Sequence, residues 1–215
     1  MIIALCGCDA RRERPVAVPP DAPAGPVSVV RTTKIPPTSV ADKATFPIPA
    51  IVPGDMVVVA LASADISLNN SVELGHELLR LWVSPSQSCR TEIVNYISEF
   101  GTHAADDTLN VIVQQPTTME LAVIELANAP DPLAEWDISS DPSTARAPNV
   151  DGELGDIVIS EVTSCSSLAP VAPPFASLGL ATPNVDLVYS VAIADPMVAT
   201  WPTDGPSSTA SLRFH

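Results

Sequence analysis

Short apolar segments with a two-residue period run through most of this chain and constrain its fold more than any other feature. Leu187, Tyr189, Val191 and Ile193 recur at every second position, with Asp186 and Ser190 on the other side. Because successive side chains of a strand point to opposite faces, this alternation predicts half-buried strands. Continuous or alternating apolar runs predict further strands at Met56–Leu61, Glu77–Val83, Ile93–Ile97, Leu109–Val113, Met119–Leu126, Ile157–Val162 and Thr209–Phe214.

The predicted fold class is all-β, a two-layer antiparallel β-sandwich of jelly-roll-like form. Pro, Gly, Asn and Asp separate the apolar segments, as turns require. One segment, Ser71–Arg80, also fits a helix, although Gly75 weakens that interpretation. The residues from 50 to 215 are enough to bury a core, so we expect them to form one sandwich domain.

A faint internal repeat runs through this pattern. Gly54-Asp55 precedes the apolar residues Met56-Val57-Val58, and Gly155-Asp156 precedes Ile157-Val158-Ile159, 101 positions later. Each copy is a Gly-Asp turn followed by an apolar strand. Two such halves could each supply strands to the sandwich. The alternative is that Gly-Asp is a common turn and that the similarity is chance.

The start of the chain contains two closely spaced cysteines, in Leu5-Cys6-Gly7-Cys8. This segment resembles the processing site of bacterial lipoproteins, in which a small residue precedes the cysteine that is cut and acylated. The resemblance implies that residues 1–8 are a truncated export signal, that Cys8 carries the lipid and that the membrane is a partner. The expected location is the cell envelope, lipid-anchored or extracellular. The alternative is that Cys6 and Cys8 are two thiols or a metal clip.

Prolines dominate the next part of the chain, from residue 9 to residue 49. Proline lacks an N–H donor and fixes φ, so neither a helix nor a central strand can propagate through these residues. We therefore expect a disordered, Pro-rich tether over residues 9–49. Val27-Ser28-Val29-Val30 could still form a short edge strand on the folded body.

Charge divides the chain at the same place. Residues 1–43 carry six basic and four acidic residues, whereas the remainder carries four basic and 21 acidic ones. Such an acidic body repels phosphate backbones, so we expect no nucleic acid partner. The acidic surface either keeps the protein soluble or supplies oxygen ligands to Ca²⁺. The sequence contains no run of 18 or more apolar residues, so it predicts no transmembrane helix.

Four turn-and-strand segments of the body share a pattern: Gly54-Asp55 with its strand, Asp107–Val111, Ala122–Ala129 and Gly155-Asp156 with its strand. Together they resemble the β-sandwich domains of secreted bacterial and phage-tail surface proteins. The resemblance covers most of residues 50–215 and implies a jelly-roll-like module for display, adhesion or glycan contact. The chain departs from the usual pattern at Leu78–Trp82, where an aromatic-rich segment is expected.

Cys89 and Cys165 each lie in a serine-rich turn of the body. In an exported protein, two such cysteines most simply form a disulfide. The alternative is two separate thiols.

Carboxylates surround a tryptophan in the segment from residue 131 to residue 141. Such a group could hold Ca²⁺ or hydrogen-bond sugar hydroxyls while an indole stacks on a pyranose ring. The alternative is a crossover loop in which Trp136 packs against one end of the sandwich, and Trp201 has the same two interpretations. The candidate ligand-binding residues are Asp131, Glu135, Trp136, Asp137, Asp141 and Trp201.

Motifs of known catalytic chemistry are absent from the sequence. His76-Glu77 begins like a zinc-protease helix, but Arg80 stands where the second histidine belongs. We therefore expect no enzyme activity and no cofactor, apart from a possible calcium ion. The expected function is a structural or adhesive surface module with envelope proteins or glycans as partners. The alternative is a calcium-assisted carbohydrate-binding module.

Overall fold

A computed structural model describes residues 25–63, 70–81, 86–88, 91–98, 107–130, 133–139, 144–149, 153–193 and 197–215, with only the backbone described for 86–88 and 133–139. Within these residues there are strands and turns but no helix, and hence no helix that could cross a membrane. The strands are β1 (Ser28–Val40), β2 (Lys43–Pro47), β3 (Met56–Ser63), β4 (Asn70–Leu74), β5 (Glu77–Leu78), β6 (Arg80–Leu81), β7 (Ser86–Ser88), β8 (Thr91–Ile97), β9 (Thr108–Val113), β10 (Thr117–Ala127), β11 (Leu133–Ser139), β12 (Thr144–Arg146), β13 (Ile157–Ser164), β14 (Ala176–Ser177), β15 (Val185–Val191), β16 (Thr200–Pro202) and β17 (Ser207–Phe214).

These strands form two main sheets and two smaller ones, and every strand pair is antiparallel. The first main sheet has the order β1-β10-β3-β8, and both β6 and β7 pair with the free edge of β8. The second has the order β11-β17-β13-β15-β14. The smaller sheets are β2-β9-β4-β5 and β12-β16. The prediction of an all-β antiparallel sandwich is confirmed.

Three apolar cores hold these sheets in layers. The two main sheets face each other across a central core that contains Val58, Ile124, Ile159 and Leu212. The other face of each main sheet is covered by a smaller sheet, β2-β9-β4-β5 on the first and β12-β16 on the second. Central strands such as β3 are therefore buried on both faces, which explains why they appear in the sequence as continuous apolar runs.

The two main sheets are built in the same way. The core strand β3 lies between β10 and β8, with β1 at the edge, and β13 lies between β17 and β15, with β11 at the edge. The smaller sheets also match. In each one, the second strand of the unit pairs with the last strand but one, which gives the pairs β2–β9 and β12–β16. The chain therefore contains two tandem units, which we call unit I (β1–β10) and unit II (β11–β17).

The register supports this duplication. Met56 pairs with Leu126, and Ile157, 101 positions after Met56, pairs with Phe214. Gly54 and Gly155 both have positive φ, 95° and 99°, before the strand that each precedes. The Gly-Asp similarity in the sequence is therefore part of a structural repeat.

Unit I has jelly-roll strand order. Without the short strands β6 and β7, its eight strands occur in the orders 1-8-3-6 and 2-7-4-5 in the two facing sheets, the arrangement of two interlocked Greek keys. Unit II repeats the first sheet in full and the second in shortened form, with a single bridge between Leu168 and Thr203 beside β16. Among the described residues, the jelly-roll order is thus complete in unit I and shortened in unit II.

Both Gly-Asp turns lie at the same end of the molecule. Glu120, opposite Ala62 near the end of β3, accepts hydrogen bonds from the amides of Ala181 and Thr182 at 2.7 and 2.9 Å. These two residues precede β15, which begins opposite the end of β13. Each of the two strands has eight residues. Asn95, which pairs with Ala60 of β3, donates to Glu161 of β13, so the strands run side by side in the same direction and also begin together. We call the end with the Gly-Asp turns the turn end and the opposite end the far end.

The predicted tether is shorter than residues 9–49, and the lower boundary of the sandwich domain at residue 50 is wrong. Residues 28–47 form β1 and β2 of unit I. Proline is tolerated here because β1 is an edge strand whose register shifts between Ile35 and Thr38, the interval that holds Pro36 and Pro37. The edge strand expected at Val27–Val30 exists and continues to Val40. Residues 1–24, with Cys8, lie outside the described residues.

The helix considered for Ser71–Arg80 does not form. The chain turns at Gly75, which has a φ of 57°, and joins β4 to β5. The predicted strand at Glu77–Val83 is divided into β5 and β6, which pair with different sheets. The other predicted strands are present, most of them one or two residues longer than expected.

Candidate functional site

Hydroxyl groups are concentrated at the far end, in matching places of the two units. Ser63 ends β3, and its Oγ lies 3.0 Å from Oγ1 of Thr117. Ser164 ends β13, and its Oγ lies 2.8 Å from Oγ1 of Thr203. In each unit, the serine that ends the central strand is thus bonded to a threonine beside the start of the last strand. These bonds hold the segment before β10 and the segment before β17 in place.

A shallow depression opens beside each hydroxyl pair. The depression of unit I has a volume of about 310 Å³ and that of unit II about 270 Å³. Both are lined by short polar side chains, prolines and small apolar residues. The linings are Ser39, Val40, Ala41, Pro116, Thr117 and Thr118 in unit I, and Ser167, Leu168, Ala169, Pro202, Thr203 and Asp204 in unit II.

The chemistry of the far end suits contact with a neutral polar ligand. Hydroxyl and backbone groups can both donate and accept hydrogen bonds. Asp204 is exposed and is the one charged residue among the two linings. In the parts of the chain that the structure describes, no group of three or more His, Cys, Asp or Glu residues could hold a metal ion.

At the turn end, ion pairs with buried carboxylates rather than hydroxyl pairs hold the two Gly-Asp turns. In unit II, Arg213 is 1% exposed, and its Nε lies 3.0 Å from Oδ2 of Asp156. Its guanidinium also donates to the carbonyl of Glu153 at 2.7 Å, and the amide of Glu153 donates to Asp156 at 2.8 Å. The Gly-Asp turn is therefore closed from both sides by one arginine and one carboxylate.

In unit I, a carboxylate rather than an arginine reaches from the last strand to the turn. Glu125, opposite Val57, corresponds to Arg213, opposite Val158. Glu125 is buried, accepts a hydrogen bond from the amide of Val52 at 2.8 Å and forms an ion pair with Arg31. Both units therefore bind the same turn residue with a charged side chain of the last strand.

Two groups at the turn end have shifted pKa values. Burial alone would raise the pKa of Asp156, but its hydrogen bonds with the Glu153 amide, His215 and Arg213 outweigh this and lower the pKa below the usual 3.8. The hydrogen bond to Asp156, at 3.0 Å, and the charges of Asp156 and Glu153 raise the pKa of the exposed His215 above 6.5. Both shifts favour the ionised pair, so the contact is strongest when both groups are charged.

Trp201 does not lie at a surface where it could stack on a ligand. Its side chain is fully buried in the core between the second main sheet and β12-β16. Its indole Nε1 donates to Oδ2 of Asp186 at 2.9 Å. Burial raises the pKa of Asp186, although the hydrogen bonds from Ser177 and Trp201 oppose that effect. The packing interpretation of Trp201 is therefore the correct one.

The carboxylate-rich segment is not a crossover loop, because residues 133–139 form strand β11. Leu133 pairs with Arg213 at the turn end and Ser139 pairs with Ser207 at the far end, about 20 Å away at the usual rise of a strand. Within the strand, Glu135, Trp136 and Asp137 pair with Ser211, Ala210 and Thr209. Asp131 and Asp141 lie outside the described residues and are connected to opposite ends of β11. The strand therefore does not support one compact calcium site formed by all five residues.

Cys165 follows β13 at the far end and is disulfide-bonded. Cys89 lies outside the described residues. Strand β7 packs against β13, and its last residue, Ser88, pairs with Thr91 at the far end. The pairing of Cys165 with Cys89 stays a prediction that these positions favour.

The hydroxyl pairs at the far end were not predicted from the sequence. The signal was the serine at the end of each repeated segment, Ser63 and Ser164, which are also 101 positions apart.

Comparison with models of known families, with curated proteins and with solved structures gave no match for this chain.

Proposed function

We propose that this protein is a non-enzymatic module of the cell envelope, lipid-anchored through Cys8, which displays its far end to a partner. The observation that carries the proposal is the position of the first described residues. Ser28 pairs with Ala127 at the turn end, and Asn128 donates to the carbonyl of Pro26 at 3.3 Å. The preceding segment therefore joins the body at the end opposite the hydroxyl-lined depressions.

This arrangement is what a tethered display module needs. A chain fixed to a surface at one end exposes its other end to the surroundings. Jelly-roll sandwiches serve many functions, so the fold alone does not select this one. The support comes from the polar far-end loops, the bonded hydroxyl pairs that fix them and the disulfide at Cys165.

The anchor and the display function are tested together in envelope fractions. Mass spectrometry of the N-terminal peptide is expected to show an acylated Cys8. A photo-crosslinking residue at Thr118 or Asp204 is expected to yield adducts with envelope proteins or glycans, whereas the same residue at Thr45, on the outer face of β2, is expected to yield none. Unmodified protein in the cytosol, or equal crosslinking from Thr45, would contradict the proposal.

A second candidate function is carbohydrate binding, which the hydroxyl lining of both depressions favours. Its calcium-assisted form depends on the segment around Trp136. If calcium and Trp136 take part, glycan-array binding should disappear with a chelator and in Trp136→Ala. Binding that persists in both cases but disappears in Thr118→Val and Thr203→Val would assign the glycan to the far end without calcium.

A further inference from the structure

Large apolar side chains are unevenly distributed on the surface of the molecule. Seven of them are exposed among the described residues, and five of these lie at the turn end. The other two, Leu78 and Leu81, belong to the side strands β5 and β6. The five that we call the apolar rim are Val30, Val52, Leu154, Val191 and Ile193.

Unit II contributes the most exposed part of this rim. Leu154, at the tip of the Gly-Asp turn, is 68% exposed, and Ile193 is 70% exposed. The amide of Gly155 donates to the carbonyl of Ala192 at 2.8 Å, so the two side chains belong to directly bonded segments. Val191 pairs with Ile157 at the start of the same strand. Val52 lies in the corresponding turn of unit I, and Val30 lies on the edge strand β1 at the same end.

Carboxylates also lie at the turn end: Glu125 and Asp156 are buried, whereas Glu153, next to Leu154, is exposed and would have to stay among the polar headgroups. The carboxylates beneath the two turns, Glu125 and Asp156, are each paired with an arginine. Contact of the rim with a nonpolar phase therefore leaves these two carboxylates paired and buried as they are. The cost of desolvating an unpaired charge does not arise for them.

We propose that the apolar rim lies on the surface of a lipid bilayer, with Leu154 and Ile193 inserted between the headgroups. The chain before Gly25 joins the body at this end, and 17 positions separate Gly25 from Cys8. Their extended length is at most about 60 Å, so a lipid at Cys8 would keep the turn end close to its membrane. This inference deepens the proposed function, because it explains which end faces the anchor.

Contact of the rim with the bilayer would strengthen the attachment that a lipid at Cys8 provides. A single acyl chain binds a membrane only marginally, and a second apolar contact makes the attachment more lasting. The rim is small and its residues are separate, so on its own it should give weak and reversible binding. It would also orient the body on the bilayer.

Vesicle flotation tests the rim without the anchor. The full chain, produced in the cytosol so that Cys8 is not acylated, is mixed with phosphatidylcholine vesicles. We expect a measurable floating fraction, and we expect its partition coefficient to fall at least about tenfold in Leu154→Ser/Ile193→Ser, because two exposed side chains lose their apolar contact. Leu81→Ser, a matched exposed leucine on β6, is expected to float like the wild type.

Several results would overturn the proposal. One is a wild-type chain that does not float, and another is a double variant that floats as well as the wild type. A wild-type dimer that becomes monomeric in the double variant would show that the rim covers a second copy of the chain instead. Matching circular dichroism and urea midpoints ensure that the variants are folded. Because the protein is not acylated, failure of lipidation at Cys8 leaves this test valid.

Discussion

Glu125 and Arg213 occupy equivalent positions in the two units but carry opposite charges. Each reaches the residue that begins a Gly-Asp turn, Val52 through its amide and Glu153 through its carbonyl. A backbone turn offers both a donor and an acceptor, so an acid and a base can each close it. The local geometry is therefore kept in both units although the sequence has changed its charge.

Loss of the arginine in unit II should be costly. We expect Arg213→Met to lower the free energy of unfolding by about 3 kcal/mol, because it leaves the charge of Asp156 buried without its guanidinium partner. Urea unfolding measures the change. In Lys43→Met, which removes a surface pair with Glu73 at 3.8 Å, the loss should stay below about 1 kcal/mol. Equal losses in the two variants would contradict this account.

His215 should make stability depend on pH above its usual pKa of 6.5. Its pKa is raised in the folded state, so its stabilising contribution is complete below 6.5 and is lost as the pH rises through the raised value. Asp156, with a lowered pKa, contributes above its usual value of 3.8 and loses its contribution as the pH falls through the lowered one. NMR titration of the His215 ring in native protein and in urea checks the first shift. A native pKa equal to or below that in urea would refute it.

At the scale of elements, each unit depends on a glycine before its central strand. Gly54 and Gly155 have φ values of 95° and 99°, and a Cβ at either position would meet nothing within 4 Å. The cost of a substitution is therefore backbone strain alone, without a steric clash.

The duplication predicts matched effects at these two glycines. We expect Gly54→Ala and Gly155→Ala each to lower the free energy of unfolding by about 1–2 kcal/mol, since an L-residue is strained at such φ values. The two losses, measured by urea unfolding, should agree within about 0.5 kcal/mol. A large loss at one glycine and none at the other would show that the two turns differ.

The disulfide-bonded Cys165 lies at the far end. If its partner is Cys89, the bond closes a loop of 76 positions and stabilises the fold by roughly 4 kcal/mol in the chain-entropy model. Peptide mapping without reduction should then find the two peptides linked, and Cys89→Ser should release one alkylatable thiol at Cys165. A link from Cys165 to Cys6 or Cys8 would disprove the pairing.

The sequence was sufficient to predict the strands that are apolar on one or both faces. It was not sufficient for β1 and β2, because the prolines there outweighed a weak alternation, and proline is tolerated on an edge strand at a register shift. Strand β11 was missed because the carboxylates around Trp136 suggested a ligand loop. Trp201 could not be assigned, because its burial depends on β12 and β16 meeting from distant parts of the chain.

At the scale of the whole molecule, the two units pack through equivalent faces. Met56 and Val58 of unit I and their counterparts Ile157 and Ile159 of unit II all lie in the central core. Hydrogen bonds also join the two units: Asn95 donates to Glu161, and the amides of Ala181 and Thr182 donate to Glu120. Lys34 of β1 also reaches the carbonyl of Gly179, beyond β14, at 3.0 Å. The two sheets therefore meet as two subunits of a symmetric dimer would, within one chain.

This packing gives the molecule two different ends. The turn end carries the ion pairs, the apolar rim and the residues nearest the N-terminal segment. The far end carries the hydroxyl pairs, the two depressions and the disulfide. The sequence could predict the two Gly-Asp turns, but their position at one end depends on how the units pack, which a pattern along the chain does not contain.

The tandem jelly-roll arrangement is tested most directly by a backbone NOE map of the folded protein. The account predicts cross-strand contacts for Val58 with Ile124 and with Ile97, and matching contacts for Ile159 with Leu212 and with Tyr189. Contacts that pair β3 with β13 in one sheet, or that place β13 beside a strand of unit I, would contradict it.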